Sequence, residues 1–452
     1  MSLSAVLTRF AAIAAVTVLA AVGFGVSNAN AVPAFAVQTG EPCQGCHVGG
    51  FGPQLTPFGR EFKLQGYTLR SNNWNIPLSV MAVASYLHTA KDQNPPPSPY
   101  DANDNWALDQ VSLFFAAGIG QHFGAFVQGT YDGVAQAWTW DNLDLRAVTT
   151  TKLGKHDATL GLSLNNNPSV QDAWNTLPAW GYPYTSSGLA PGPSASPFFN
   201  GALAQASIGV TGYAWIDSKL YLEGGAYWSP RASALTHLGA DPTSPGDING
   251  AAPYLRAAWQ QDLGPGTFEA GVFGMETSVF PGMDHTTGFA DRYTDVGVDG
   301  SYHWALDNGD TITANARYIH EDQSLKATCT LEGAPIEDCA GNRLDDFRID
   351  GSYYWRSKIG LTAQVFDTTG SANPVIYAGN ATFKPDSSGV MLQIDGTPWG
   401  DGKGPLGKRF NTRVGVQYTL YGRFNGARSN WDGAGSNASD NNALRFFIWS
   451  AF

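Results

Sequence analysis

The sequence predicts an all-β fold, a sixteen-stranded transmembrane antiparallel β-barrel behind a small helical N-terminal segment, and three observations predict it. From residue 76 to the C-terminus, segments of about ten residues alternate apolar with polar side chains, as strands do when one face meets lipid and the other a lumen. Charged residues make up only 14% of the 452-residue chain, against about 25% in an ordinary soluble domain, while 53 glycines, 14 tryptophans, 18 tyrosines and 24 phenylalanines accumulate. Beyond residue 36 no apolar run is long enough for a membrane helix, and a closed barrel is the other structure that satisfies its own backbone in lipid.

The N-terminus reads as a secretory signal over 1–31. Arg9 supplies the basic region, Phe10 to Val22 the apolar core and Ala29-Asn30-Ala31 a small-residue cleavage site. Ala34-Phe35-Ala36 is a second candidate site for cleavage. An uncleaved anchor would need about 20 unbroken apolar residues, and this stretch is shorter and ends in Ser27-Asn28-Ala29-Asn30. The net charge of −12 argues against nucleic acid as a partner and suits a surface that attracts cations.

The next segment, 32–74, carries the most specific motif, Cys43-Gln44-Gly45-Cys46-His47. Two thiols at this spacing add to the two vinyl groups of one haem while the adjacent imidazole reaches its iron, so Cys43 and Cys46 are the expected covalent sites and His47 an axial ligand of a single haem c. A thioredoxin-type redox pair is the other use of such a spacing, and it wants a βαβ setting that is absent. After the motif, Thr56 as N-cap, Pro57 at the first helical position and Gly66 as a stop predict a short helix over 57–65. Phe58 and Phe62 then share a face, either to cover the macrocycle or to pack on the barrel wall, and Arg60 or Lys63 are candidates for pairing with its propionates. Some 35 residues cannot bury an independent core, so the segment is expected inside or against the barrel mouth as a plug.

The barrel, 75–452, is expected to have strands near 76–89, 107–119, 122–133, 138–152, 156–165, 203–215, 218–228, 252–262, 266–278, 290–305, 309–320, 343–355, 358–366, 387–395, 409–421 and 443–452. Its connections alternate between short turns, such as Gly120-Gln121 and Gly264-Pro265, and long polar loops, such as 90–106, 166–202 and 422–442. Barrels of this kind keep short turns in the periplasm, and an even strand count returns both chain ends there. The Gly-rich connection 396–408 falls on the short side and is too long for it. Cys329 and Cys339 flank a polar loop, and in an oxidising compartment such a pair is expected to form a disulfide. The chain ends on an aromatic strand, 444–452, closing with Phe452.

The haem motif, followed by Pro53, Leu55, Phe58-Gly59-Arg60, Phe62-Lys63 and Gly66-Tyr67-Thr68 and joined to a sixteen-stranded porin, resembles the fused monohaem cytochrome c-porins of the bacterial outer membrane. At the other end, 416–421 with Phe424-Asn425-Gly426 and 437–442 looks like the end of the same family, so the likeness touches both termini and little of the middle. It implies an outer-membrane electron conduit that oxidises extracellular Fe(II), an Fe(II):cytochrome c oxidoreductase, and hands the electron to a periplasmic cytochrome c. The rival reading is a porin or transporter whose haem plug is structural or sensory, and a third is electron export to an external acceptor.

A second axial ligand has to come from the barrel, because the plug segment offers no further His or Met. Met81 is the first candidate: in the first strand Ser79, Met81 and Ser85 read inward while Leu78, Val80, Ala82 and Ala84 read toward lipid. A thioether would raise the potential relative to a second imidazole, and filling a gap is its other use. His88, His122, Met283 and His303 are the remaining candidates. Inward carboxylates at Asp295, Asp299, Asp346 and Asp350 would steer iron, unless neighbours such as Arg348 and Arg356 pair with them.

Overall fold

The computed structural model describes residues 33–71, 77–94, 98–175 and 185–452; the signal segment 1–31 and Ile76 lie outside the described residues. Sixteen long strands follow in order: β1 (Leu78–Thr89), β2 (Asn105–Ile119), β3 (Phe123–Asp132), β4 (Ala137–Leu153), β5 (His156–Asn165), β6 (Ile208–Ile216), β7 (Leu220–Trp228) and β8 (Ala252–Leu263). The second half comprises β9 (Gly266–Phe280), β10 (Asp291–Ala305), β11 (Thr311–Ser324), β12 (Ala340–Trp355), β13 (Ile359–Gly370), β14 (Ser387–Gly396), β15 (Asn411–Arg423) and β16 (Ala443–Ala451). Each pairs antiparallel with the next, and β1 also pairs with β16, Met81 opposite Ala451, which closes the barrel and leaves no edge. A two-residue segment, Asp247–Ile248, pairs beside the end of β9.

The alternation in sequence is realised as two faces. On β12, Phe347, Ile349, Tyr353 and Trp355 stand exposed on the outside while Asp346, Ser352 and Tyr354 are buried inside. On β10, Val296 and Val298 face out and Asp295, Asp299 and Ser301 face in. Bulky apolar side chains left bare on every wall are stable only against hydrocarbon, which makes this a membrane barrel. Among the described residues no helix is long and apolar enough to cross a membrane, so the strands do the crossing.

The lumen is filled rather than open. From the short-turn end enters the plug: α1 (Pro33–Thr39), α2 (Cys43–Cys46) and α3 (Pro57–Leu64). From the long-loop side, the connection between β5 and β6 folds inward, burying Asn167, Gln171, Asp172, Trp174, Phe198 and Phe199. It reaches Tyr421 through the Pro191 carbonyl and Arg445 through Thr185. Because that connection turns inward to residue 207, β6 begins at Ile208, later than the strand expected from residue 203.

The plug has no core of its own and is tied to the wall at both ends. Arg413 donates to the Gly49 carbonyl (3.3 Å) while pairing with Asp395 (3.2 Å). Arg146, paired with Asp144 at 2.9 Å and without solvent contact, donates to the Lys63 carbonyl (3.2 Å) and to Gln171 of the inward loop (2.7 Å). A guanidinium at the C-terminal turn of α3 also meets the negative end of that helix. The long Gly-rich turn 397–410 now has a reason: Gln44 donates to Gly400 (3.0 Å), Lys408 reaches the Gly40 carbonyl, and Asn411 donates to Gly50 (2.7 Å). It is a cradle for the plug, which a two-residue turn has no surface to provide.

Cys329 and Cys339 form the expected disulfide, and both are fully buried under Leu325. Replacing Arg146 by Ala leaves Asp144 buried without its cation, a loss of about 3–5 kcal/mol. Thermal unfolding in detergent should show that loss, with new protease cuts confined to 57–67 and 166–175. An unchanged melt would mean that the pair does not anchor the plug.

Candidate functional site

The site is built on the turn between α2 and α3. Cys43 and Cys46 open and close a single helical turn, which ends because His47 is extended, its N–H returning to the Cys43 carbonyl at 2.8 Å. The chain doubles back so that His47 bridges to Leu55, Val48 donates to Gln54, and Thr56 donates to the Cys46 carbonyl (2.9 Å). Thr56 also caps α3 as expected, its hydroxyl accepting from the Gly59 N–H at 3.1 Å. Gly59 is required there: a Cβ on it would stand 2.2 Å from the Cys46 carbonyl oxygen. Helix and motif are therefore packed backbone to backbone.

His47 faces a cleft together with Cys46, Phe51, Pro53, Leu55, Phe62, Lys63 and Tyr67 from the plug. Met81, Phe114, Phe126 and Trp449 come from the barrel wall, and Asn142, Ser169, Asp172 and Asn175 form a polar side. The cavity measures about 160 Å³ and opens partly to solvent. Ordinary ligand pockets run from about 300 to 1,000 Å³, so a macrocycle would have to extend into the open side of the cleft.

The donors fit an iron porphyrin on two counts. The Nδ1 of His47 is buried without a hydrogen-bond partner, and burial pulls the imidazole pKa down to about 4, so the ring is neutral and free to ligate at any ordinary pH. The Nδ2 of Asn175 is likewise buried without a partner on the polar side of the cleft, where Lys63 also stands. The apolar walls suit the ring, and Lys63 and Asn175 suit its propionates. Among the described residues no group of three or more His, Cys, Asp or Glu side chains gathers to hold a bare metal ion.

The thiols do not look like a redox pair. Burial raises the Cys43 pKa and pushes Cys46 up to about 12, whereas a reactive dithiol needs its thiolate stabilised. Lys63 is half-buried, and desolvation brings its pKa down to about 8 while it donates to the Val170 (2.5 Å) and Asp172 (3.1 Å) carbonyls.

Met81 is 2% exposed and lines the same cleft as His47. His88, His122, Met283 and His303 do not line it: His88 pairs with Asp104 (2.9 Å) and His122 bonds the Val148 carbonyl (3.0 Å). Phe62 lines the cleft, whereas Phe58 does not and is 41% exposed. The reason is Gly59: its close approach to Cys46 fixes the roll of α3, so Phe58 turns outward. Arg60 is buried away from the cleft, leaving Lys63 as the basic side chain there. The inward-loop contribution of Ser169, Asp172 and Asn175 was invisible in the sequence, because nothing in a polar loop says that it enters a lumen.

The inward acids are mostly paired. Asp299 meets Arg256 (2.7 Å), Asp346 meets Arg317 (2.9 Å) and Arg348 (3.2 Å), and Asp350 accepts from Asn315 (2.6 Å). The Arg356 guanidinium lies over the Trp355 ring, and its backbone N–H donates to Asp310 (2.9 Å) rather than to one of these inward acids.

No family model and no curated relative matches the sequence. Solved structures with a similar outline are bacterial outer-membrane barrels. OmpT of Vibrio cholerae aligns with TM-score 0.44 at 11% identity, over 85% of this chain and 99% of that one. The outer-membrane channel DcaP of Acinetobacter baumannii gives 0.46 at 12%, over 84% and 97%. Salmonella typhi OmpF in complex with daunomycin gives 0.45 at 11%, over 83% and 97%. The fold is a closed sixteen-stranded antiparallel barrel, which the strand ladder shows by itself.

Removing the Lys63 ammonium, as in Lys63→Ala, should free the inward loop from α3. A hydrogen bond from a charged donor contributes about 1.5–3 kcal/mol, so amide exchange over 166–175 should speed up by roughly 10- to 100-fold. Unchanged protection would show that Arg146 alone holds the loop.

Proposed function

We propose that this protein is an outer-membrane electron conduit, carrying one haem c in its plug and passing electrons from an extracellular donor, Fe(II) in the first instance, to a periplasmic cytochrome c. The observation that carries the reading is the convergence of a Cys-x-x-Cys-His turn and an inward methionine on one cleft in the barrel mouth. A haem bound there would supply a one-electron couple. The chain's own part is to fix it. Cys43 and Cys46 would hold it by thioethers, and His47 and Met81 would be the side chains available to its iron. Phe51, Phe62, Phe114, Phe126 and Trp449 would exclude water around it, while Lys63 and Asn175 would offer N–H donors to its carboxylates. The plug lies at the short-turn end, which is periplasmic in barrels of this kind.

A second reading, a porin or transporter with a structural plug, is favoured by the fold alone. The filled lumen speaks against free diffusion: plug and inward loop meet through Lys63, Arg146 and Gln171. The deciding measurement is a reduced-minus-oxidised difference spectrum of intact cells with and without external Fe(II), in which the conduit reading expects haem bands to appear on addition. Haem that ignores external Fe(II) sinks the conduit and leaves the plug reading.

Cofactor attachment has its own test. Cys46→Ser should leave a single thioether and red-shift the alkaline pyridine spectrum, and His47→Ala should abolish low-spin haem. Met81→Ala should lower the midpoint potential and turn the ferric spectrum high-spin. Identical potential and spin state in Met81→Ala would remove it as a ligand.

A further inference from the structure

Most strongly buried acids on the inner wall have a basic partner; among the described residues Glu223, which accepts from Tyr221, Asp291, which accepts from Thr328, and the adjacent Asp295 and Glu321 have no ion pair. Asp109 has Arg445 (2.7 Å), Asp144 has Arg146, Asp395 has Arg413, Asp346 has Arg317 and Arg348, and Glu269 and Asp299 share Arg256. Asp295 on β10 and Glu321 on β11 stand directly opposite each other in the ladder, 1% and 0% exposed, with their carboxyl groups within hydrogen-bonding reach. Among the described residues neither has an ion pair. Two carboxylates side by side in a poorly solvated interior repel by several kcal/mol, so something positive belongs between them.

The surroundings are prearranged for it. Glu321 is held from behind, accepting from the Phe198 N–H and from Gln323 (2.6 Å). Asp295 faces the Phe199 amide, yet neither of its oxygens has a hydrogen bond of normal geometry. On the neighbouring strand β9, Met275 stands opposite Asp295, which places Thr277 diagonally beside the acid. The Thr277 hydroxyl is fully buried and also without a partner. The pair lies four residues inside the outer end of β10, under the stacked rings of Phe198 and Tyr293 (4.3 Å).

We propose that Asp295, Glu321 and Thr277 form a binding site for an oxygen-preferring divalent cation near the outer mouth of the barrel. Two carboxylates, a hydroxyl and water are the donors such ions choose. The proposal deepens the conduit reading and rests on it for the site's purpose: it gives an external metal-ion donor a place to dock on the far side of the inward loop from the plug.

The probe is Mn(II), titrated into purified full-length protein in detergent and followed by electron paramagnetic resonance of the free ion. The wild-type protein should bind one ion that the variant Asp295→Asn/Glu321→Gln binds at least tenfold more weakly, while Asp345→Asn, an acid hydrogen-bonded to Tyr318 and His320, binds as wild type. Saturating Mn(II) should also raise the wild-type melting temperature, a readout independent of whether the variant folds. Equal binding by wild type and variant, or a melting temperature that Mn(II) leaves unmoved, overturns the site and leaves the two acids sharing a proton. The readings separate cleanly. Mn(II) binding without haem reduction by external Fe(II) defeats the conduit and keeps the site; haem reduction with no Mn(II) site does the reverse.

Discussion

The structure depends on the buried guanidinium of Arg146. One side chain pairs with Asp144 of its own strand, donates to the Lys63 carbonyl at the end of α3, and grips the inward loop at Gln171. Its plane also lies over Tyr67 (5.6 Å) and Tyr213 (5.3 Å), so it is packed as well as paired. A plug too short to own a core has to borrow order from its surroundings, and a planar cation with five donors can serve three segments at once. Arg413 does the same at the other end of the plug, against Gly49. The fixed charges of the wall thus set the position of the Cys43–His47 turn.

The fold was legible in the sequence because a barrel writes its geometry with a period of two. Leu78, Val80 and Met81 of one strand, or Asp346 and Phe347 of another, declare their faces by chemistry alone, and turn lengths declare the direction of each hairpin. The motif was legible for a different reason, since the spacing of Cys43, Cys46 and His47 is itself the chemistry. What escaped were contacts between distant segments. Phe58 shares the helical period of Phe62, but the Gly59–Cys46 approach rolls it outward, and no pattern within eight residues reveals that. Ser169 and Asn175 sit in a polar loop whose inward course depends on Arg146 and Lys63, more than 20 and 100 residues away. The Gly-rich turn 397–410 stood out as irregular in the sequence, and its irregularity is the imprint of the plug.

Filling the lumen has an electrostatic consequence. An aqueous pore screens charges, whereas the packed interior leaves Asp144–Arg146, Asp299–Arg256 and Asp395–Arg413 in a medium where an unpaired partner would be very costly. This is why the wall acids occur with arginines and not lysines: the planar fork reaches an acid and a backbone carbonyl together. Against that rule the Asp295–Glu321 pair is an exception that the wall does not balance from its own side chains.

The same packing bears on how a single centre in the mouth relates to the outer face. Between His47 and the outer ends of the strands lie the inward loop, Trp174 against Trp215 and Tyr221, and Phe199 against Tyr254 and Phe273. These packed aromatic groups stand between the cleft and the outer strand ends. On the proposed conduit reading, the barrel would take the lipid out of the electron's path, and oxidised metal formed at the outer mouth would stay on the outer side. A conduit of this kind needs a docking site outside, a redox centre inside and a dry partition between them. Arg146 ties the partition to the centre, since the loop it holds at Gln171 also supplies Ser169 and Asn175 to the cleft.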